Sequence, residues 1–152
     1  ANDAMFLNLR IQDNILGDST HTSLKDFAAA DLLVLQAKPQ QAIELLNDIL
    51  VNHQGKSIID DAHFKLGELY FDLGNYEQAA EHWEVVVQEH TYDLLADAAF
   101  YRLGLLYEEK FNQPEKAMTY YERIIFDYSD SIYFVDARKR FRKLRGDFNP
   151  KT

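Results

Sequence analysis

The 152-residue chain is 47% hydrophobic and 13% aromatic with only 6 Gly and 3 Pro, which excludes a disordered or collagen-like polymer and supplies apolar material for one domain core. With no Cys, it has no disulfides, thiolate metal sites or cysteine nucleophiles. The net charge of −9 is divided: residues 1–137 hold 9 Lys/Arg against 24 Asp/Glu (−15) and residues 138–152 hold 7 against 1 (+6), so the acidic body repels nucleic-acid backbones.

Hydrophobic periodicity predicts eight helices, at about 4–16, 22–36, 39–53, 57–73, 76–90, 94–110, 114–128 and 131–145. The first carries Met5, Phe6, Leu7, Leu9, Ile11, Ile15 and Leu16 on more than one face and stops at Gly17. So much apolar surface on a half-repeat is expected either to be covered by the next two helices or to mediate self-association or contact with upstream repeats. On that reading the chain is the C-terminal fragment of a longer array. No apolar run approaches the roughly 20 residues that span a bilayer, so no transmembrane segment is expected.

The middle six helices repeat. Leu66-Gly67-x-x-Tyr70, Ala79, Trp83 and Val86 recur 37 to 38 residues on as Leu103-Gly104-x-x-Tyr107, Ala117, Tyr121 and Ile124. Thirty-seven residues back they appear as Ala29-Ala30-x-x-Leu33, Ala42, Leu46 and Ile49. Ala30, Gly67 and Gly104 mark close approaches of the first helix of each pair to the second. Pro39 and Pro114 suit the first helical position, which tolerates a missing N–H, and Gly74-Asn75 suits a helix end and turn.

This pattern resembles the tetratricopeptide repeat over roughly residues 20–146. The resemblance implies an all-α, right-handed α-α superhelix: a solenoid of about three helix pairs with an N-terminal half-repeat and a C-terminal capping helix. The expected division of the single domain 1–152 is an N-terminal helix at 1–17, repeats at 20–56, 57–93 and 94–130, a capping helix at 131–146 and a tail at 147–152. Two features depart from the family pattern. Gln54, Thr91 and Ser129 stand where a Pro usually closes the second helix, and the period exceeds the usual ~34 residues. Long linkers before Asp60-Asp61-Ala62 and Ala96-Asp97-Ala98 are similar to those of bacterial cell-envelope repeat proteins, such as outer-membrane assembly lipoproteins and periplasmic Tol-Pal coordination factors. That likeness implies a periplasmic or envelope location ahead of a cytoplasmic one.

The resemblance also implies a non-catalytic protein–protein interaction scaffold that holds a peptide or partner protein in a concave groove lined by the first helices. The alternative is a structural or assembly arm. The groove positions are Phe27, Phe64 and Tyr101, then Asp31, Glu68 and Leu105, then Val34, Phe71 and Glu108. Aromatics edged by carboxylates suit a partner with apolar anchors and basic flanks. The same aromatics suit packing against the next repeat equally well. Phe64, Glu68, Tyr101 and Leu105 replace the Lys and Asn with which some members clamp a terminal carboxylate, so that activity is not implied.

The remaining candidates for chemistry are sparse. His21, His53, His63, His82 and His90 form no HExxH motif or i, i+4 pair; His63 and His82 lie on partner helices, but no metal and no cofactor is expected. Asp60-Asp61, Glu108-Glu109 and Glu77, Glu81 and Glu84 are expected on solvent faces, and no nucleophile elbow or phosphate loop occurs. Arg138, Lys139, Arg140, Arg142, Lys143 and Arg145 place six cations in eight residues. They suit either a solvated cap complementing its helix dipole or a docking patch for an acidic partner, anionic headgroups or another copy. The position held by Gly67 and Gly104 becomes Arg142 there, which closes the stack with a polar outer face.

Overall fold

The computed structural model describes residues 19–53, 55–89 and 94–147, and the expected N-terminal helix at 4–16 lies outside them. Among the described residues there are seven helices and no strand: α1 Ser19–Leu35, α2 Pro39–Asn52, α3 Lys56–Asp72, α4 Tyr76–Glu89, α5 Ala96–Glu109, α6 Pro114–Asp127 and α7 Phe134–Arg145. The last begins three residues later than its apolar pattern suggested, because Ser131–Tyr133 form a turn. The Ser131 Oγ accepts the Tyr133 N–H at 3.0 Å, and the Phe134 N–H reaches the Ser131 carbonyl at 3.1 Å. Such a side-chain bond competes with the helical ladder and delays it.

The turns within the helix pairs follow one design. In the first, the Ala37 and Lys38 N–H groups bond the Val34 and Leu33 carbonyls; in the second, Gly74 and Asn75 bond Phe71 and Tyr70. This paired pattern satisfies carbonyls left over at a helix end, and it needs a residue with positive φ. Ala37 (58°), Gly74 (80°) and Asn112 (52°) fill that place. The third turn holds the extra residue of the 38-residue spacing, and there the Gln113 N–H reaches back to the Tyr107 carbonyl at 2.8 Å. Pro39 and Pro114 open α2 and α6 as expected.

The described residues fall into two compact units, divided between Leu69 and Tyr70. In the first, α1 packs on α2, and the buried side chains include Ala30, Ala42, Leu46, Ile49, Ala62 and Leu66. In the second, α4 packs on α5, α5 on α6 and α6 on α7 around Ala79, Trp83, Val86, Ala99, Leu103, Ala117, Tyr121, Ile124 and Ala137. The buried set is the repeat itself: Ala42/Ala79/Ala117, Leu46/Trp83/Tyr121 and Ile49/Val86/Ile124 are all in the core. Small residues at one register and large ones at the next let helices approach while filling the space between. At Gly104 the occupant is a ring, not a backbone: a Cβ there would lie 2.8 Å from Cδ1 and 2.9 Å from Cζ of Tyr121.

Three carboxylates expected on solvent faces are not there. Asp60 is fully buried, beside Ser23 the other buried polar residue among those described. Both occupy the repeat place held by Asp97 in the next unit. Asp97 accepts a hydrogen bond from Ser131 Oγ at 2.6 Å, so this register is a polar junction at the start of the first helix. Glu84 and Glu108 are withdrawn by tyrosine hydroxyls and cations, described below.

Candidate functional site

The expected ligand positions fall differently in the two units. In the first unit, Phe27, Asp31 and Val34 lie on α1 and Phe64 and Glu68 on α3, all half-buried. Lys65, absent from the expected set, joins their carboxylates: its Nζ is 3.3 Å from Asp31 Oδ1 and 3.9 Å from Glu68 Oε2. Both carboxylates keep solvent access, at 42% and 34% of the side-chain surface. One ammonium between two carboxylates leaves the cluster net negative, and exposed pairs of this kind hold each other only weakly. The i, i+3 spacing of Lys65 and Glu68 was the available signal for that cation. Elsewhere in this unit His53 Nε2 lies 3.1 Å from Asp26 Oδ2, a structural tie between α2 and α1.

In the second unit the corresponding residues are absorbed by packing. Phe71 tilts against Tyr76 and Trp83, at ring separations of 5.3 and 6.0 Å. Leu105 is half-buried. Tyr101 stacks on Tyr133 at 4.6 Å, and its hydroxyl donates to Asp136 on α7. Burial and that neighbouring carboxylate push the Tyr101 phenol up to about 12. The hydrogen bond from Tyr101, with Arg140 nearby, holds the Asp136 carboxyl below its usual range.

Glu108, only 13% exposed, accepts from the Tyr121 hydroxyl at 2.7 Å and from an Arg140 guanidinium nitrogen at 2.8 Å. Arg140 also donates to Asp136 at 2.9 Å and to Glu109 at 3.3 Å. Burial opposes the Arg140 charge, but the carboxylates of Asp136 and Glu108 outweigh it and hold its pKa above the ordinary value. Arg140 is thus a cross-helix fastener. The other five cap cations, Arg138, Lys139, Arg142, Lys143 and Arg145, are exposed.

A second polar node joins α4, α5 and α6. Glu84 Oε1 accepts from the hydroxyls of Tyr107 and Tyr120, each at 3.0 Å. Lys116 donates to the Tyr107 hydroxyl at 2.9 Å, and its ammonium stands 4.2 Å from that ring's centroid. The hydrogen bond to Tyr107 keeps the Lys116 ammonium protonated above its usual range, and burial raises the Tyr120 phenol. Sequence reasoning missed this node because its members belong to different registers of the repeat. Only Tyr107 stood at a repeat position, and there it read as apolar core. Among the described residues no group of three or more His, Asp or Glu is gathered as for a metal ion, and no helix is long and apolar enough to cross a membrane.

A family profile described as the tetratricopeptide repeat matches residues 27–93 and again residues 64–132. Among solved structures, the chain is similar to a tetratricopeptide repeat protein from Parabacteroides merdae, with a TM-score of 0.68 and 18% identity over 96% of this chain and 54% of that one. The chain therefore spans about half the length of that protein. No curated protein matches the sequence. Likeness at this identity speaks for the fold alone, and the fold is the all-α, tetratricopeptide-type solenoid that the repeat spacing implied.

Proposed function

Because the chain belongs to the tetratricopeptide repeat family, whose repeats generally mediate protein–protein interaction, we propose that it is a non-catalytic scaffold holding a basic, apolar-anchored segment of a partner protein. The recognising surface is the face of α1 and α3 that carries Phe27, Asp31, Phe64 and Glu68. The observation that carries this reading is the contrast between units. Tyr101 and Glu108 are engaged by α7, whereas Asp31 and Glu68 keep water contact beside half-buried aromatics.

Aromatic rings supply contact area with few rotors to freeze, and carboxylates steer Lys or Arg toward them. Lys65 lies between the two carboxylates and leaves the cluster net negative, so an incoming cation still meets an attractive field. A random peptide library panned on the protein tests the reading. Recovered peptides should combine basic and apolar residues, and they should lose at least tenfold in affinity toward the Asp31→Lys/Glu68→Lys variant. A library yielding no saturable binder, or binders indifferent to that variant, would contradict it.

A further inference from the structure

A second surface lies in the other unit, on the side of α6 that faces α7. There a slot of about 320 Å³ is lined by Ile125, Phe126, Phe141, Arg138, Arg142 and Arg145, with Glu122 on the α6 side. Its apolar part is formed by Ile125 and Phe141, and Phe126 stands at its edge with 75% of its surface exposed. The same Phe126 borders a neighbouring groove of about 610 Å³ that runs past Phe100, Tyr120 and Arg123. An exposed phenylalanine shared by two hollows is a poor way to build a solvent-facing helix and a good way to hold another side chain.

Two of the three slot arginines lie over rings. The Arg145 guanidinium lies 5.2 Å from the Phe141 centroid, and that of Arg138 lies 5.3 Å from Phe134. A guanidinium stacked on a ring retains its N–H edges for a carboxylate, and its fork matches carboxylate geometry. Negative groups are also present: Asp147 pairs with Arg145, and Glu122 lines the α6 wall. Arg138 and Arg142 remain exposed on the rim, within a segment, residues 138–152, that carries +6 on a chain of net −9.

From this charge reversal and slot we infer that the α6–α7 face docks an acidic peptide segment of a partner protein, with an apolar side chain seated between Phe126 and Phe141 and its carboxylates on Arg138 and Arg142. A concave slot of side-chain size favours a protruding residue over the flat surface of a membrane. The inference is independent of the α1–α3 face, which calls for a ligand of opposite charge.

The probe is a fluorescein-labelled peptide with glutamates on both sides of a central Leu-Phe pair, titrated by anisotropy. Saturable binding is expected, weakened at least tenfold by Arg138→Glu/Arg142→Glu and, separately, by Phe126→Ser, whose exposed position keeps the fold intact. Binding should weaken as salt rises from about 50 to about 300 mM. The inference is overturned if the peptide does not bind, if its lysine-for-glutamate counterpart binds equally, or if the variants bind unchanged. It is also overturned if phosphatidylserine vesicles bind the protein and the variants abolish that instead, or if the variants abolish only a concentration-dependent dimer seen by sedimentation.

Discussion

The Tyr121 ring lies against the Cα of Gly104, so closely that a methyl group there would fall 2.8 Å from its Cδ1 atom. Tyr121 is fully buried and its hydroxyl is anchored to Glu108, so the ring cannot swing aside without breaking that bond. Gly104→Ala should gain up to about 1 kcal/mol of helix propensity and lose more to overpacking, for a net destabilisation of about 1–3 kcal/mol. Urea unfolding followed by circular dichroism checks it. A neutral or stabilising result would mean that α5 and α6 have room to part.

The turn positions make the opposite prediction for Ala37. It adopts φ 58° where the next turn places Gly74 at 80°. Left-handed backbone costs a residue with a Cβ about 1–2 kcal/mol, partly offset because glycine also loosens the unfolded chain by about 0.4–1 kcal/mol. Ala37→Gly should therefore stabilise by roughly 0.5 kcal/mol, and Gly74→Ala should destabilise by a similar amount. Thermal melts of the two variants should move in opposite directions.

Glu108 and Glu109 set a largely covered carboxylate beside an exposed one on adjacent residues. Glu108→Gln weakens the bonds from Tyr121 and Arg140 and should cost on the order of 2 kcal/mol. Glu109→Gln, where the contact to Arg140 is 3.3 Å and exposed, should stay within about 0.5 kcal/mol. A double-mutant cycle with Arg140→Met should give coupling for Glu108 and almost none for Glu109.

The repeat register made most of the fold legible. Ala42, Ala79 and Ala117 were found by spacing, and all three are fully buried. The register failed where a residue acts outside its repeat role. Glu108 lies at a position predicted to face a ligand, yet it meets Arg140, 32 residues away on the last helix. That helix docks with Ala137 in register but presents Tyr133, Asp136 and Arg140 in place of another repeat's side chains. Asp60 misled for a related reason: its acidic neighbours suggest solvent, while its register matches the polar junction that Asp97 makes with Ser131. Charge patterning along one helix cannot show which face the preceding loop covers.

The tyrosine network gives stability an alkaline limit. Tyr101 is pushed up to about 12 by burial and by its bond to Asp136, against about 10 in the unfolded chain. Tyr120 and Tyr121 are raised too, first by burial and then by Glu84 and Glu108 respectively. Between those values the folded state holds protons that the unfolded state releases, so stability present below about pH 10 should fall as pH rises toward 12. Asp136, depressed by Tyr101 and Arg140, adds an acid limit, with its contribution lost as pH falls below the ordinary carboxylate range. Urea midpoints across pH should show both limits. The Tyr101→Phe variant should show a shallower alkaline fall.

The central claim is that a partner segment lies on the α1–α3 face. The most direct measurement is chemical-shift mapping by nitrogen-15 NMR of the protein titrated with a peptide selected against it. Shifts centred on Phe27, Asp31, Phe64 and Glu68 are expected, abolished by Asp31→Lys/Glu68→Lys. Shifts confined to α6 and α7, or a peptide that binds without perturbing α1 and α3, would contradict it.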